Sequence, residues 1–115
     1  RNRTVSTTLI GNVVADPELK FLQSGSAIVS FSIAVKKKRG EETYTSFFDC
    51  TGFGTMAENI ANSIRKGDRV VVTGELNQRT YEDKSGNKRS AVELTIEAAG
   101  HDLRWQSSTV IKNES

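Results

Sequence analysis

Between residues 27 and 35 the chain alternates without a break: Ala27, Val29, Phe31, Ile33 and Val35 fall on one side of an extended backbone, and Ser30, Ser32 and Lys36 on the other. A two-residue period with one apolar side is what a strand with one buried face requires. The pattern returns in the valine-rich run 69–76 and in residues 91–99, where Val92, Leu94, Ile96 and Ala98 are expected inward. Residues 44–53 read as another strand. Residues 5–14 form a β-rich segment broken by Gly11, which suggests a bulge or the bend of a barrel corner. Residues 20–22 add a short extended piece. Thr80-Tyr81 and residues 88–90 flank Asp83-Lys84-Ser85-Gly86-Asn87, whose Gly and Asn suit positive φ, so a protruding hairpin is expected there.

One convincing helix separates these strands. Thr55 and Glu58 have capping-box spacing, Met56, Ile60, Ala61 and Ile64 give an apolar stripe, and Arg65-Lys66-Gly67 reads as a basic last turn closed by glycine. The order of three strands, helix and two strands is that of an all-β, five-stranded OB-fold Greek-key barrel, with its helix between the third and fourth strands. Other small β-barrels share the pattern. At 115 residues the chain has room for one core, so residues 1–115 are read as one domain, with a core over about 4–104 and an extension over 105–115. An apolar fraction of 36% leaves little surplus, which favours self-association.

The formal net charge of +2 is too small for a general polycation, so its distribution matters more than its total. Lys36, Lys37, Lys38 and Arg39 concentrate positive charge in what reads as a loop, a feature that suits an anion and also a plainly solvated turn. The one cysteine, Cys50, cannot form an intrachain disulfide, and the one histidine, His101, has no companions for a zinc site. A reducing, intracellular setting is expected, without a secretion leader or membrane span.

The parity of residues 45–53 carries the functional argument. Phe48, Cys50 and Gly52 share a face suited to a barrel interior, so Phe47 and Phe53 must share the other with Asp49 and Thr51. Two phenyl rings on a polar surface are costly unless something covers them, and the flat faces of unpaired bases would do so. The hairpin or a neighbouring subunit would also serve. Tyr81 lies near the hairpin base among Arg79, Lys84, Lys88 and Arg89, an interleaving of ring and cation that suits a nucleic-acid strand and equally suits cross-strand packing.

The blocks Leu9-Ile10-Gly11-Asn12, Asp16-Pro17-Glu18, Arg65-Lys66-Gly67-Asp68 and Val72-Thr73-Gly74-Glu75-Leu76 resemble those of the bacterial-type single-stranded DNA-binding proteins over roughly residues 4–104. The resemblance implies an OB fold, a homotetramer with a dimer as the next alternative, and protection of single strands in replication, recombination and repair. It puts the stacking aromatics at Phe47, Phe53 and Tyr81, and phosphate contacts at Arg3 and Lys20. The family often has tryptophan where this chain has Phe47 and Tyr81. Its other stacking aromatic falls near Arg39, where this chain offers cations, so thinner stacking and more prominent charge are expected. The resemblance also implies a cytoplasmic, nucleoid-associated protein, and leaves a cellular, phage or organellar source open.

Two features depart from that pattern. Many members end in an acidic tip that recruits repair proteins, whereas this chain ends in Lys112-Asn113-Glu114-Ser115. Residues 102–112 hold the only tryptophan, Trp105, and a β-prone Thr109-Val110-Ile111. They resemble the extra C-terminal strand by which some actinobacterial members clamp subunits, and they suit an edge strand on the chain's own barrel as well. Trp105 lies outside the predicted stacking set, so its fluorescence is expected to respond little to DNA. No nucleophile elbow, phosphate-binding Gly-Lys loop or metal-ligand spacing is present, so no catalytic residue, cofactor or metal is expected. The competing function is an OB module that binds protein or oligosaccharide, since the fold serves all of these.

Overall fold

A computed structural model describes residues 6–113, with the side chains of Arg79, Ser90 and Ala91 outside the description. The elements are β1 (Ser6–Val13), β2 (Glu18–Phe21), β3 (Ala27–Arg39), β4 (Glu42–Phe53), α1 (Gly54–Ser63), β5 (Arg69–Glu82) and β6 (Lys88–His101). Neighbouring strands run β1-β5-β6-β4-β3-β2, and a further β1–β3 pairing closes the first five into a barrel. All pairs are antiparallel except β4 with β6, which meet in a short parallel ladder from Asp49↔Glu93 to Thr51↔Thr95. This is the expected OB architecture, with α1 between β4 and β5. The corner expected at Gly11 falls where β1, paired with β5 along its length, also begins to pair with β3 at Asn12↔Ala34.

The alternation in β3 is realised: Ala27, Val29, Phe31 and Ile33 are buried and Val35 is half-buried. Val70 and Val72 of β5 and Leu94 and Ile96 of β6 meet them in the core, and Ala57, Ile60 and Ile64 close one end from the helix side. Each fully buried aliphatic side chain contributes about 1.5–3 kcal/mol, so this cluster is the main source of stability.

Val92 and Ala98 are not inward as expected; both are exposed. Val92 belongs to the part of the hairpin that reaches past the core. Ala98 is displaced by a bulge, since Thr73 pairs with Ala98 and Gly74 with Ile96, which leaves Glu97 unmatched and reverses the parity beyond it. Ala99 packs on the core instead. Gly74 is required at that point, because a Cβ there would lie 2.0 Å from the Thr95 carbonyl oxygen.

Residues 36–39 are not a loop. β3 runs on to Arg39 and pairs with β4 in unbroken register to Arg39↔Glu42, so the turn is only Gly40-Glu41. Gly40, at φ 59°, supplies the positive φ that a two-residue hairpin needs at its first position. The basic residues therefore lie on a two-stranded ribbon that projects from the barrel.

The capping box does not form. Phe53 is the N-cap residue, and no side chain accepts from the first turn. The basic last turn lies outside the helix, which ends at Ser63 with Ile64 as C-cap. Arg65 nevertheless caps it from beyond, its guanidinium donating to the carbonyls of Ala61 and Ile64.

An extra strand beyond the five barrel strands is present, but it is β2, on the outer edge of β3. The C-terminal residues 102–113 contain no strand. Polar contacts hold the start of this segment to the barrel: the Asp102 backbone N–H donates to the Arg69 carbonyl at 2.9 Å and the Gln106 side-chain Nε2 to the same oxygen at 2.6 Å. His101 lies 3.1 Å from an Asp68 carboxylate oxygen and 3.0 Å from the Ser108 hydroxyl. Val110 and Ile111 are 79% and 88% exposed, so the described residues leave the apolar tail largely uncovered.

Candidate nucleic-acid interface

Side chains on directly paired strand residues point to the same face, so the register defines the outer surface of the barrel. Along β4 that surface carries Phe47, Asp49, Thr51 and Phe53, opposite Ala34, Ser32, Ser30 and Ile28 of β3. Phe47 is 66% exposed and Phe53 48%. Cys50 and Gly52, between them in sequence, are buried and Phe48 is half-buried, as the parity required. Thr51 departs from expectation, being buried on the outer face with its hydroxyl donating to Glu93 Oε2 at 2.9 Å.

The basic run divides between two faces. Lys36 pairs with Thr45 and Lys38 with Thr43, which puts both on the side of Phe47. Lys37 and Arg39 lie on the reverse side with their partners Tyr44 and Glu42. Tyr44 is 51% exposed, and its hydroxyl donates to Glu42 Oε1 at 2.6 Å, which raises its pKa. Sequence reasoning passed over Tyr44, although its odd spacing from Phe47 already assigned it to the reverse face.

Tyr81 is exposed in β5, opposite Arg89 of β6, near the end of the second projecting hairpin. Asp83 ties that hairpin together. Its carboxylate accepts from the Ser85 and Asn87 amides and from Arg89 Nε at 2.8 Å, so the charge of Arg89 is already partnered. Those contacts, the Arg89 bond first, hold the Asp83 carboxyl below its usual pKa. Lys84 and Lys88 are exposed on the turn and its flank. Lys20 pairs with Ile28, which pairs with Phe53, and it makes only a loose 3.7 Å contact with exposed Glu18. Arg79 is opposite Ala91, with its side chain outside the description, and Arg3 lies outside the described residues.

The centre of the face is acidic, which the sequence reasoning missed. Asp49 and Glu93 are partners in the β4–β6 ladder. The Ser32 hydroxyl donates to Asp49 at 2.6 Å, as Thr51 does to Glu93. A shallow groove runs over these groups, bordered by Asp16 and Glu18. Phosphates are therefore repelled from the middle of the face and attracted to its edges, at Lys36, Lys38 and Lys20, whereas neutral bases can lie across the rings.

Cys50 is no nucleophile. Burial first, then the charges of Asp49 and Glu93, push its thiol up to about 12, so it stays protonated and unreactive. Among the described residues no group of three or more His, Cys, Asp and Glu is arranged to hold a metal, and no helix is long and apolar enough to cross a membrane.

The sequence blocks that carried the family resemblance meet in space. The Lys66 amide donates to Asp16 Oδ1 at 2.8 Å, the Gly67 amide to the Val13 carbonyl at 2.8 Å, and the Val13 amide to the Asp68 carbonyl at 2.8 Å. The family model described as single-strand binding protein family matches residues 4–102. The chain belongs to that family. Similar relatives are single-stranded DNA-binding proteins from Mycobacterium leprae, 39% identical with 91% of this chain and 67% of the relative covered, and from Paenarthrobacter aurescens, 38% identical with 93% and 67% covered. A crystal structure of a small single-stranded DNA-binding protein from Streptomyces coelicolor superposes with a TM-score of 0.72 at 28% identity, covering 89% of this chain and 97% of that one. In this family member the candidate site is thus an OB face with rings at its margins, cations on its ribbons and carboxylates at its centre.

Proposed function

We propose that this protein binds and protects single-stranded DNA, with little regard to sequence, in replication, recombination and repair, and that it acts by binding alone. The observation that carries this reading is the exposure of Phe47, Phe53 and Tyr81 beside cations on the outer barrel surface and its ribbons. Bases stack on the rings whatever their identity, because every base has a π-face, and Lys36, Lys38, Lys20, Lys84 and Lys88 meet the phosphates. Lys37, Arg39, Arg79, Arg89 and Arg3 complete the basic set in this reading. Its cellular setting is the cytoplasm, at the nucleoid.

The working unit in this reading is a homotetramer, with a dimer as the alternative. The edge of β1 over residues 6–11 supports self-association, because β3 joins β1 only at Asn12 and Val13 and leaves the rest of that edge without a ladder partner among the described residues. The exposed Val110 and Ile111 are a second apolar surface that another subunit would cover.

The test is a titration with oligo-dT at rising salt, with duplex as competitor and solution mass measured with and without DNA. Tight single-strand binding that weakens steeply with salt supports the reading. Equal affinity for duplex, or indifference to salt, would overturn it.

A further inference from the structure

Trp105 lies in the segment after β6, between two residues anchored to the start of β5. Asp102 Oδ2 accepts from Arg69 Nε at 2.8 Å, and the Gln106 side chain donates to the Arg69 carbonyl. The Arg104 amide donates to Asp102 Oδ1 at 3.2 Å. The indole is thus held in place by its neighbours, yet it remains 69% exposed. Core packing does not explain a tryptophan presented in this way.

Two guanidinium groups lie over the same ring, Arg69 with Cζ 4.8 Å from the centroid and Arg104 at 4.3 Å. Asp102 answers the charge of Arg69, whereas Arg104 makes no ion pair among the described residues. The part of the indole that the two guanidiniums leave open can take a base by stacking, and the Arg104 guanidinium stacked on it can meet the phosphate by charge.

The register connects this patch to the main face. Phe47 pairs with Ala34, Ala34 with Asn12, and Asn12 with Arg69, which makes one lateral row across β4, β3, β1 and β5. Every member points outward, since the neighbouring Val13, Ile33 and Val70 are buried. Three inter-strand steps amount to about 14 Å around the barrel. Ala34 and Asn12 are small, so no bulky side chain of the row stands between the ring of Phe47 and the arginine that flanks Trp105.

We propose that Trp105, Arg104 and Arg69 form a second contact for single-stranded DNA, taken up by the same strand as it runs from Phe47 across Ala34 and Asn12. This rests on the single-strand reading above and extends its path around the barrel. It also reverses the expectation that the tryptophan is a spectator.

Trp105 is the only tryptophan, so its emission reports this patch alone. The full chain is titrated with end-labelled oligo-dT of about 6 and about 30 nucleotides, bracketing the roughly 4–16 nucleotides that one OB fold occupies. Anisotropy of the label measures binding. The expected result is that the long oligomer quenches Trp105 and the short one binds without doing so. Trp105→Ala should weaken the long complex at least about fivefold and leave the short one unchanged. Phe47→Ala should weaken both.

Saturation of the long oligomer with unchanged tryptophan emission would overturn the proposal, as would a Trp105→Ala variant that binds both lengths normally. If Phe47→Ala still weakens both lengths in that case, only the second contact falls. If neither variant affects binding, the single-strand site itself is wrong. Emission that shifts with protein concentration in the absence of DNA would mean that a second copy covers the indole, and this too would overturn the proposal.

Discussion

Ala34 stands directly opposite Phe47 in the β3–β4 ladder, and its single methyl cannot cover the ring, which stays 66% exposed. Phe53 and Tyr81 are open for related reasons, one facing Ile28 at the end of β4 and the other on the projecting β5–β6 hairpin. Replacing any of the three with alanine should weaken oligo-dT binding by about 1–3 kcal/mol, because each removes a stacking surface and leaves the core untouched. Fluorescence anisotropy gives the loss, and circular dichroism checks that the barrel persists. A folded variant with unchanged affinity would remove that residue from the site.

The division of the basic ribbon gives a second expectation. Lys36 and Lys38 share the face of Phe47, whereas Lys37 and Arg39 are on the side of Tyr44 and Glu42. Each single-strand phosphate contact contributes about 0.7 to the slope of log affinity against log salt. The double variant Lys36→Ala with Lys38→Ala should flatten that slope by about 1.4, and the pair Lys37→Ala with Arg39→Ala by less than half as much. Equal flattening by both pairs would mean that the strand contacts both sides of the ribbon.

The parity of β4 was legible because Phe48, Cys50 and Gly52 suit a barrel interior, and that choice alone exposes Phe47 and Phe53. The β6 alternation misled at Ala98, since the bulge depends on how Gly74 of β5 meets Thr95 of β6, which the pattern of β6 alone does not contain, and at Val92, where the hairpin has left the core. The basic run was read as a loop because four cations suggest solvent, and strands that leave the barrel are just as well solvated. Thr55 and Glu58 have the right spacing for a cap, yet the helix begins two residues earlier than that cap requires, at Gly54, with Phe53 as its N-cap. The acidic centre was hidden because Asp49 and Glu93 come together only through the parallel β4–β6 pairing, a contact between residues far apart in sequence.

Gly74 offers a test of the bulge. A methyl group at that position would lie 2.0 Å from the Thr95 carbonyl oxygen and 2.9 Å from its carbon, both backbone atoms that cannot swing aside. Gly74→Ala should therefore destabilise the barrel by at least about 3 kcal/mol, the upper end of ordinary single substitutions. Urea unfolding measures the loss. Near-native stability would mean that β6 can shift its register at little cost.

The Arg69–Asp102 pair that supports the Trp105 segment also sets a pH dependence. The hydrogen bond from Arg69, ahead of the Arg104 amide and the charges of both arginines, lowers the Asp102 pKa despite some opposing desolvation. A carboxyl whose folded pKa is depressed contributes stability at pH values above its unfolded pKa, about 3.9, and loses that contribution as pH falls through the folded value. Asp102→Asn should therefore melt below the wild type at pH 7, with the gap closing as pH falls below about 4. Asp83, lowered chiefly by Arg89, contributes with the same sign to the wild-type curve and cancels in the comparison. Melting curves of the two proteins from neutral to acid pH decide the matter: a gap that stays constant below pH 4 would show that Asp102 acts through packing and not through its charge.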